Sequence, residues 1–282
     1  MMNLAEYRRT ASRLADYLPW VALVGDGIVL NKDGSFQRTA RFRGPDLDSA
    51  VAAELVAVAG RLNNAFRRLG SGWAIFVEAQ RSEAATYPAS RFPDPASALV
   101  DAERKADFKE EGSHFVSGYY LTFLWLPPAE DAARSESWLY EGRETSGVNP
   151  WELARGFADR TDRVLALLDG FMPECRWLDD GETLTYLHST ISTNRHRVAV
   201  PETPIYLDAL LADQLLIGGL EPRLGNHHLR VLTITGFPGA TTPGLLDEMN
   251  RLAFPYRWST RAILMDKTDA TRLLTKIRRQ WF

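Results

Sequence analysis

The chain has 282 residues, of which 45% are hydrophobic and 24% are charged, and its formal net charge is −3. This composition is typical of a folded domain and argues against intrinsic disorder, while the small negative charge argues against a general attraction to nucleic-acid phosphates. The single cysteine, Cys175, excludes an internal disulfide.

The first predicted element is an amphipathic helix that ends at Pro19. Leu4, Tyr7, Leu14 and Leu18 are interspersed among charged residues, and proline stops a helical pattern. The same charges exclude a cleaved secretion signal, and the most apolar windows further along are about half as long as a membrane-spanning helix. The apolar side of this helix either covers the core of the domain or docks on a membrane subunit.

A hairpin and a second helix follow. The turn residues Asn31-Lys32-Asp33-Gly34 predict a strand over 35–43 that returns on the strand before it, because glycine tolerates the positive φ of such turns. Asp48 or Ser49 is expected to cap a helix over 49–69, and Gly70 is expected to close it in a left-handed conformation. The apolar positions of this helix have helical spacing: Val51, Leu55, Val58, Leu62, Phe66 and Leu69.

The next elements complete one folding unit. The pattern predicts a strand over 72–80, a proline-rich surface link from Ser82 to Pro95, a charged helix over 96–109 and a central strand over 115–126. A loop over 129–149, a helix over 150–171 and a strand or helix near 182–190 come after it. This order is compatible with an α+β fold containing a ferredoxin-like β-α-β-β-α-β unit.

A partial second β-α-β unit is predicted in the last third of the chain. It consists of a strand over 228–235, a helix over 242–253 and a strand over 258–265, and its local resemblance to residues 41–76 suggests a structural duplication. We therefore predict two domains, 1–200 and 201–282. A C-terminal helix over 268–281 closes the chain, and one apolar stripe on it is formed by Leu273, Leu274, Ile277 and Trp281. This stripe must pack back on the module or face a partner.

The residues that could take part in catalysis or bind a metal do not form a recognisable site in the sequence. There is no G-x-x-x-x-G-K-S/T motif, so no P-loop is predicted, and the stretch from Gly236 to Thr242 is interpreted as a turn and helix cap. Adjacent His227 and His228 would point to opposite faces of a strand. His188 and His196 are expected to have surface or hydrogen-bonding roles. Cys175 is predicted to be a buried or incidental thiol. The acidic run over 179–182 is predicted to form a turn.

Nucleic-acid binding is an alternative raised by the strand over 35–43. Aromatic and basic residues are combined there, as in sheets that stack bases. Strand alternation, however, places Phe36, Arg38 and Phe42 on one face and Arg41 and Arg43 on the other, so that the aromatic pair is predicted to be core. A single-stranded nucleic-acid-binding module stays open as the alternative function, and steeply salt-dependent binding of an oligonucleotide would favour it.

Three stretches resemble a known family: Gly27 to Ser49, Asn3 to Arg8 and Leu178 to Thr190. They closely resemble the N-terminal region of the CagE/TrbE/VirB family, the conjugal-transfer ATPases of bacterial type IV secretion systems, and the resemblance covers essentially the whole chain. It implies that ATP hydrolysis, with ATP and Mg²⁺ as cofactors, belongs to a C-terminal domain expected beyond Phe282. The chain itself is therefore expected to be neither an enzyme nor a cofactor-binding protein.

The resemblance also implies a docking and oligomerisation role. The expected partners are inner-membrane type IV secretion subunits, such as a TrbD-like protein, and neighbouring protomers of a hexamer, at the cytoplasmic face of the bacterial inner membrane. Direct nucleic-acid binding is disfavoured, and no catalytic or metal-binding residue is expected. The candidate interaction residues are Leu4, Tyr7, Leu14, Arg38, Arg41, Arg43, Leu273, Ile277 and Trp281.

Overall fold

The computed structural model describes residues 13–47, 49–84, 87–109, 114–128, 150–234, 236, 239–240 and 246–281. The strands are β1 (Trp20–Gly25), β2 (Ile28–Asn31), β3 (Phe36–Arg43), β4 (Trp73–Glu83), β5 (Phe115–Trp125), β6 (Glu174–Trp177), β7 (Leu216–Ile217), β8 (Arg223–Leu224), β9 (His227–His228) and β10 (Tyr256–Ile263). The described α-helices are α1 (Leu14–Tyr17), α2 (Ala52–Phe66), α3 (Pro95–Phe108), α4 (Pro150–Asp169), α5 (Asp180–Ile191), α6 (Leu207–Leu211) and α7 (Lys267–Trp281).

The described part of the chain is an α+β protein built on a seven-stranded sheet. Its strands follow the order β1-β2-β3-β5-β4-β10, every pairing is antiparallel, and β6 lies beside β3. β2 pairs with residues 36–38 of β3 and β6 with residues 40–43, so the two short strands share one edge of β3 while β5 occupies the other. The strands β7, β8 and β9 form a separate three-stranded sheet.

Apolar side chains cover both faces of the main sheet. On β2, Ile28 and Leu30 belong to a first core, whereas Val29 between them belongs to a second. This alternation follows from the two-residue period of a strand. Helices α2 and α4 contribute to the first core, and α1, α5 and α6 contribute to the second. The sheet is therefore the middle layer of three.

The predicted hairpin is confirmed, and β1 in front of it was missed. Gly34 has a φ of 78° in the turn between β2 and β3, and the Ser35 N–H donates to Asp33 Oδ1 at 3.0 Å. Because Trp20–Gly25 is an almost unbroken apolar run, neither a helical nor a strand period distinguished it beside the predicted helix end. In the structure it pairs with β2 and extends the sheet.

The ends of α2 differ from the prediction. The helix begins at Ala52 rather than at 49, and the Glu54 carboxylate accepts a hydrogen bond of 3.0 Å from the Val51 N–H at its start. Ser49 instead donates to Asp46, so the prediction that it caps the helix is wrong, while Asp48 lies outside the described residues. The prediction of a left-handed Gly70 is also wrong, because Gly72 is the residue with positive φ, at 88°.

The sequence near 182–190, left open between strand and helix, forms helix α5. Asp179 caps this helix by accepting a hydrogen bond of 2.7 Å from the Glu182 N–H, so the acidic run begins a helix. The strand that pairs with β3 lies earlier, at Glu174–Trp177. The predictions of α3, β5, α4 and α7 are confirmed to within two residues at each end.

The last third of the chain contributes a strand to the main sheet. β10 pairs with β4 over residues 256–263, close to the predicted strand over 258–265. The predicted strand over 228–235 is wrong, since β9 ends at His228. Of the predicted helix over 242–253, residues 242–245 lie outside the described part, and Asp247–Arg251 is a 3₁₀ helix. The division into domains after residue 200 stays a prediction. None of the described helices is long and apolar enough to cross a bilayer.

Candidate functional site

The N-terminal candidate residues are divided between the core and the part of the chain without a description. Leu14 is 9% exposed and packs in the second core with Leu18 and Trp20. Its burial corrects the prediction that it is a contact residue, because a side chain in the core has no free surface to offer a partner. Leu4 and Tyr7 lie outside the described residues.

Arg38 is buried beside the first core rather than lying free at the surface. Its guanidinium donates to Asp162 Oδ1 at 2.7 Å and lies 4.1 Å from the centre of the Trp177 ring. The Trp177 indole N–H donates to the same carboxylate oxygen at 2.7 Å. A buried cation needs such partners, and they leave Arg38 unavailable to another chain. This placement corrects its selection as an interaction residue.

The aromatic residues of β3 lie in or against the first core, as strand alternation predicted. Phe36 is fully buried, and Phe42 packs against the core at its edge. They therefore offer no platform for stacking bases. Arg41 and Arg43 lie on the opposite face and are exposed, and Arg41 Nε is 3.5 Å from Glu174 Oε1. These two arginines remain candidates for contact.

The C-terminal helix α7 exposes the apolar stripe that the sequence predicted. Leu273, Leu274 and Ile277 are 40%, 66% and 41% exposed, while the side chain of Trp281 lies outside the description. The start of the helix is tied to the turn before β4, because Ser71 donates to Asp269 Oδ2 at 2.5 Å and accepts from the Asp266 N–H at 3.0 Å. The helix is therefore anchored at its N-terminal end, and its apolar side faces solvent in the described structure.

A second exposed apolar pair was missed by the sequence analysis. On α3, Leu99 and Val100 are 63% and 48% exposed, and the helix buries none of its residues. Tyr87, in the segment before this helix, donates to Asp101 Oδ1 at 2.6 Å and packs on Phe108. The sequence analysis predicted α3 only as a charged helix and named neither of these two apolar residues as a candidate contact.

A polar cleft lies on the second face of the sheet, beside α5. It has a volume of about 340 Å³. Its basic residues are Arg41, Arg195 and Arg197, which come from β3 and from the segment after α5. The other lining residues are Gln80, Ser82, Tyr120, Leu178, Glu182, Thr185, Tyr186 and Ser189. The sequence analysis did not select Arg195 or Arg197, since their approach to Arg41 depends on the fold.

A buried ion pair lies next to this cleft. Glu78 on β4 pairs with Arg257 on β10, which also donates to the Ser189 carbonyl oxygen at 2.6 Å. The Tyr186 hydroxyl donates to Glu78 Oε2 at 3.3 Å. Burial, together with the nearby Glu78 charge, raises the pKa of Tyr186 above its ordinary value. Burial and the Arg257 charge lower the pKa of Arg195.

The histidine and cysteine predictions have mixed outcomes. His188 is buried with Nε2 at 3.1 Å from Asp213 Oδ2, so it is a buried polar contact rather than a surface residue, whereas His196 is exposed. Cys175 is buried as predicted, and burial raises the pKa of its thiol to about 11. Within the described ranges, no group of three or more His, Cys, Asp or Glu residues is placed to hold a metal ion.

Comparisons with known proteins identify relatives across the chain. Residues 27–133 match the family model described as "Type IV secretion system ATPase VirB4/TrbE, N-terminal domain". The conjugal transfer protein TrbE of Rhizobium radiobacter is 32% identical over 298 aligned positions, which cover 100% of this chain and 36% of the relative. This chain thus spans about a third of that protein's length.

Two further relatives agree with this match. A Sinorhizobium fredii protein, named as the first portion of a probable conjugal transfer protein TrbE, is 39% identical over 130 residues, which cover 45% of this chain and 87% of the relative. The type IV secretion system protein virB4 of Brucella suis is 22% identical over 285 residues, which cover 93% of this chain and 34% of the relative. Similarity to conjugal-transfer and type IV secretion proteins therefore extends over both halves of the chain.

Proposed function

This chain belongs to the TrbE family of conjugal transfer proteins, of which it is an N-terminal region, and from this membership we propose that it is the docking and oligomerisation module of a type IV secretion ATPase. In this proposal it holds the motor at the cytoplasmic face of the bacterial inner membrane, through an inner-membrane subunit such as a TrbD-like protein and through neighbouring protomers. ATP hydrolysis, with ATP and Mg²⁺, is proposed for the parent protein and not for this region.

The exposed stripe of α7 is the observation that carries the docking proposal. Ile277 lies four residues after Leu273 and three after Leu274, so the three side chains share one side of the helix, and all are at least 40% exposed. Burying a side chain of this kind completely is worth about 1.5–3 kcal/mol relative to leaving it in water. A partner that covered the stripe would gain part of this free energy, and Ser71 holds the start of the helix in a defined place for such a partner.

The docking proposal can be tested with two variants of α7 that add the same charge. Leu274→Asp places a carboxylate in the stripe, while Thr275→Asp places one on the polar side of the same helix. Binding of each variant to the detergent-solubilised TrbD-like subunit is measured by calorimetry, and self-association by analytical ultracentrifugation. We expect Leu274→Asp to weaken binding or self-association by about tenfold or more, because a buried uncompensated charge is costly.

Circular dichroism shows whether each variant keeps its fold. Thr275→Asp should behave as the unmodified chain does in both binding measurements. Equal behaviour of the two variants, with both folded, would remove α7 as the docking surface and leave the proposal without its main support.

For the fold, we infer that β3, α2, β4, β5, α4 and β6 form the ferredoxin-like unit. Support comes from their order in the sheet, β6-β3-β5-β4, and from the antiparallel pairing of each neighbouring pair. Each helical crossover then joins two parallel strands with one strand between them, as a split βαβ unit requires. An experimental structure in which β6 left the edge of β3 would contradict this inference.

A further inference from the structure

We propose that the polar cleft beside α5 binds a phosphate group, with Arg195 as its central contact and Arg41 and Arg197 beside it. The cleft lies between β3, β4, β5 and α5 and has a volume of about 340 Å³. This volume is at the small end of the range for small-molecule sites. The site is separate from the α7 stripe, so this proposal does not depend on the docking function.

The first argument is the balance of charge in the cleft. Glu182 is the one carboxylate among the described lining residues, and its two oxygens accept from Arg176 at 2.7 and 2.8 Å. Arg176 does not line the cleft, so this carboxylate is neutralised from outside it. Arg195 and Arg197 have no carboxylate partner among the residues that the structure describes. Positive charge is therefore left uncompensated inside the cleft.

The second argument is the environment of Arg195. In the amide orientation that satisfies both groups, the Gln80 side-chain oxygen accepts from the Arg195 guanidinium at 3.2 Å. Gln80 is buried but neutral, so it satisfies a hydrogen bond without compensating the charge. Burial and repulsion by the Arg257 charge, which is itself paired with Glu78, lower the pKa of Arg195. An anion in the cleft would relieve this repulsion.

The donors in the cleft fit phosphate better than a carboxylate. Each guanidinium carries five N–H donors in a planar fork, and Ser82 and Tyr120, two residues with hydroxyl groups, also line the cleft. A carboxylate accepts through two oxygens and carries one negative charge. A phosphate monoester presents three acceptor oxygens and about −1.5 to −2 charges at neutral pH, which matches several converging arginines. We therefore assign the ligand as a phosphate group on a small molecule.

The experiment is a calorimetric titration of the 282-residue chain at constant ionic strength. The probes are inorganic phosphate and adenosine monophosphate, which distinguish free phosphate from a nucleotide as the source of the group. The variants are Arg195→Gln in the cleft and Arg278→Gln on the exposed side of α7, each removing one positive charge. We expect saturable binding that is weakened about tenfold or more by Arg195→Gln, as for loss of a charged hydrogen bond, and unchanged by Arg278→Gln.

Thermal unfolding separates loss of binding from loss of fold. In phosphate-free buffer, Arg195→Gln should unfold at the same temperature as the unmodified chain or at a higher one, because it removes the repulsion from Arg257. Phosphate should then raise the unfolding temperature of the unmodified chain more than that of the variant. Equal binding by both chains, absence of saturation, or binding of a thymidine oligonucleotide that phosphate does not displace would each overturn the proposal.

Discussion

The backbone N–H of Gly27 donates a hydrogen bond of 2.7 Å to Asp180 Oδ1, and this contact joins the turn between β1 and β2 to the first turn of α5. The two residues are 153 positions apart in the chain. Gly27 has a φ of 66°, and a Cβ at this position would lie 2.5 Å from the Leu178 carbonyl oxygen. The position thus requires glycine for both its backbone conformation and its close approach to the next layer.

Gly27→Ala is therefore expected to destabilise the fold. The left-handed conformation and the collision with the Leu178 carbonyl together should lower the free energy of unfolding by about 3 kcal/mol. Urea unfolding followed by circular dichroism measures this loss. Gly44→Ala is the matched control, because a Cβ at Gly44 would have no neighbour within 4 Å. If Gly27→Ala lowered the free energy of unfolding no more than Gly44→Ala does, the turn would be able to relax without cost.

Phe157→Ala should be among the more damaging core changes. The Phe157 ring is fully buried and stacks on Phe36, Trp73 and Trp125, with centroids 5.9, 5.7 and 6.3 Å away. Removing it leaves a cavity between α4 and the sheet and should cost about 4 kcal/mol in the free energy of unfolding. Phe92→Ala, at a 41% exposed position, should change it by less than about 0.5 kcal/mol. If Phe157→Ala and Phe92→Ala lowered the free energy of unfolding by similar amounts, close packing around Phe157 would be contradicted.

Arg257→Gln is expected to weaken the attachment of β10. It leaves the buried Glu78 carboxylate without its ion partner, and breaking one side of a buried pair costs about 3 kcal/mol or more. The double variant Arg257→Gln with Glu78→Gln should recover part of this loss, because it removes the orphaned charge. Chemical denaturation of the single and double variants tests both expectations. Arg261→Gln, at an exposed position on the same strand, is the control.

The Arg176–Glu182 pair should make stability depend on pH on the acid side. Hydrogen bonds from Arg176 hold the pKa of Glu182 below its ordinary value of 4.5. A lowered pKa in the folded state stabilises the fold above pH 4.5, and this contribution is lost as the pH falls through the folded pKa. The difference in unfolding free energy between the unmodified chain and Arg176→Gln should therefore be present above pH 4.5 and shrink over the interval below it, as the pH falls through the lowered pKa of folded Glu182. If the difference in unfolding free energy stayed constant over this interval, the Glu182 carboxylate would not be the partner that stabilises Arg176.

Cys175 should react slowly with thiol reagents in the folded chain. Burial raises the pKa of its thiol from 9.0 to about 11, so the thiolate fraction near neutral pH falls about a hundredfold. The stability that this raised pKa contributes is present below pH 9 and is lost as the pH rises through about 11. Reaction with Ellman's reagent at about pH 8 should be at least about a hundredfold slower without urea than in urea. Equal rates would place the thiol at the surface.

Local signals in the sequence were sufficient for many elements. The Asn31–Gly34 turn, the alternation along β3 and the helical stripe of α7 each depend on residues within a few positions of one another, and the structure has them as predicted. The predictions were less accurate at the ends of helix α2. The Val51 N–H donates to Glu54 at the start of the helix, where Asp48 or Ser49 had been predicted as the cap, and Gly72 has the positive φ that had been predicted for Gly70.

Gly70 is required because of a tertiary contact and not because of its backbone conformation. Its φ is not in the left-handed region, but a Cβ there would collide with the Asp266 carboxylate, which belongs to a distant segment of the chain. The glycine therefore makes room for the segment that leads into α7. No periodicity or turn rule could have revealed this role, because the partner is far away in sequence.

The sequence by itself determined the α+β class, most of the helices and strands, and the separation of buried from exposed residues on β3, because each of these depends on local spacing and on the period of the backbone. The tertiary structure decided which residues meet: Arg38 with Asp162, Glu78 with Arg257, and Arg41 with Arg195 at one cleft. Such pairs depend on strand order and on how the helices lie over the sheet. Those features are set by the burial of two cores together, and no single stretch of sequence contains them.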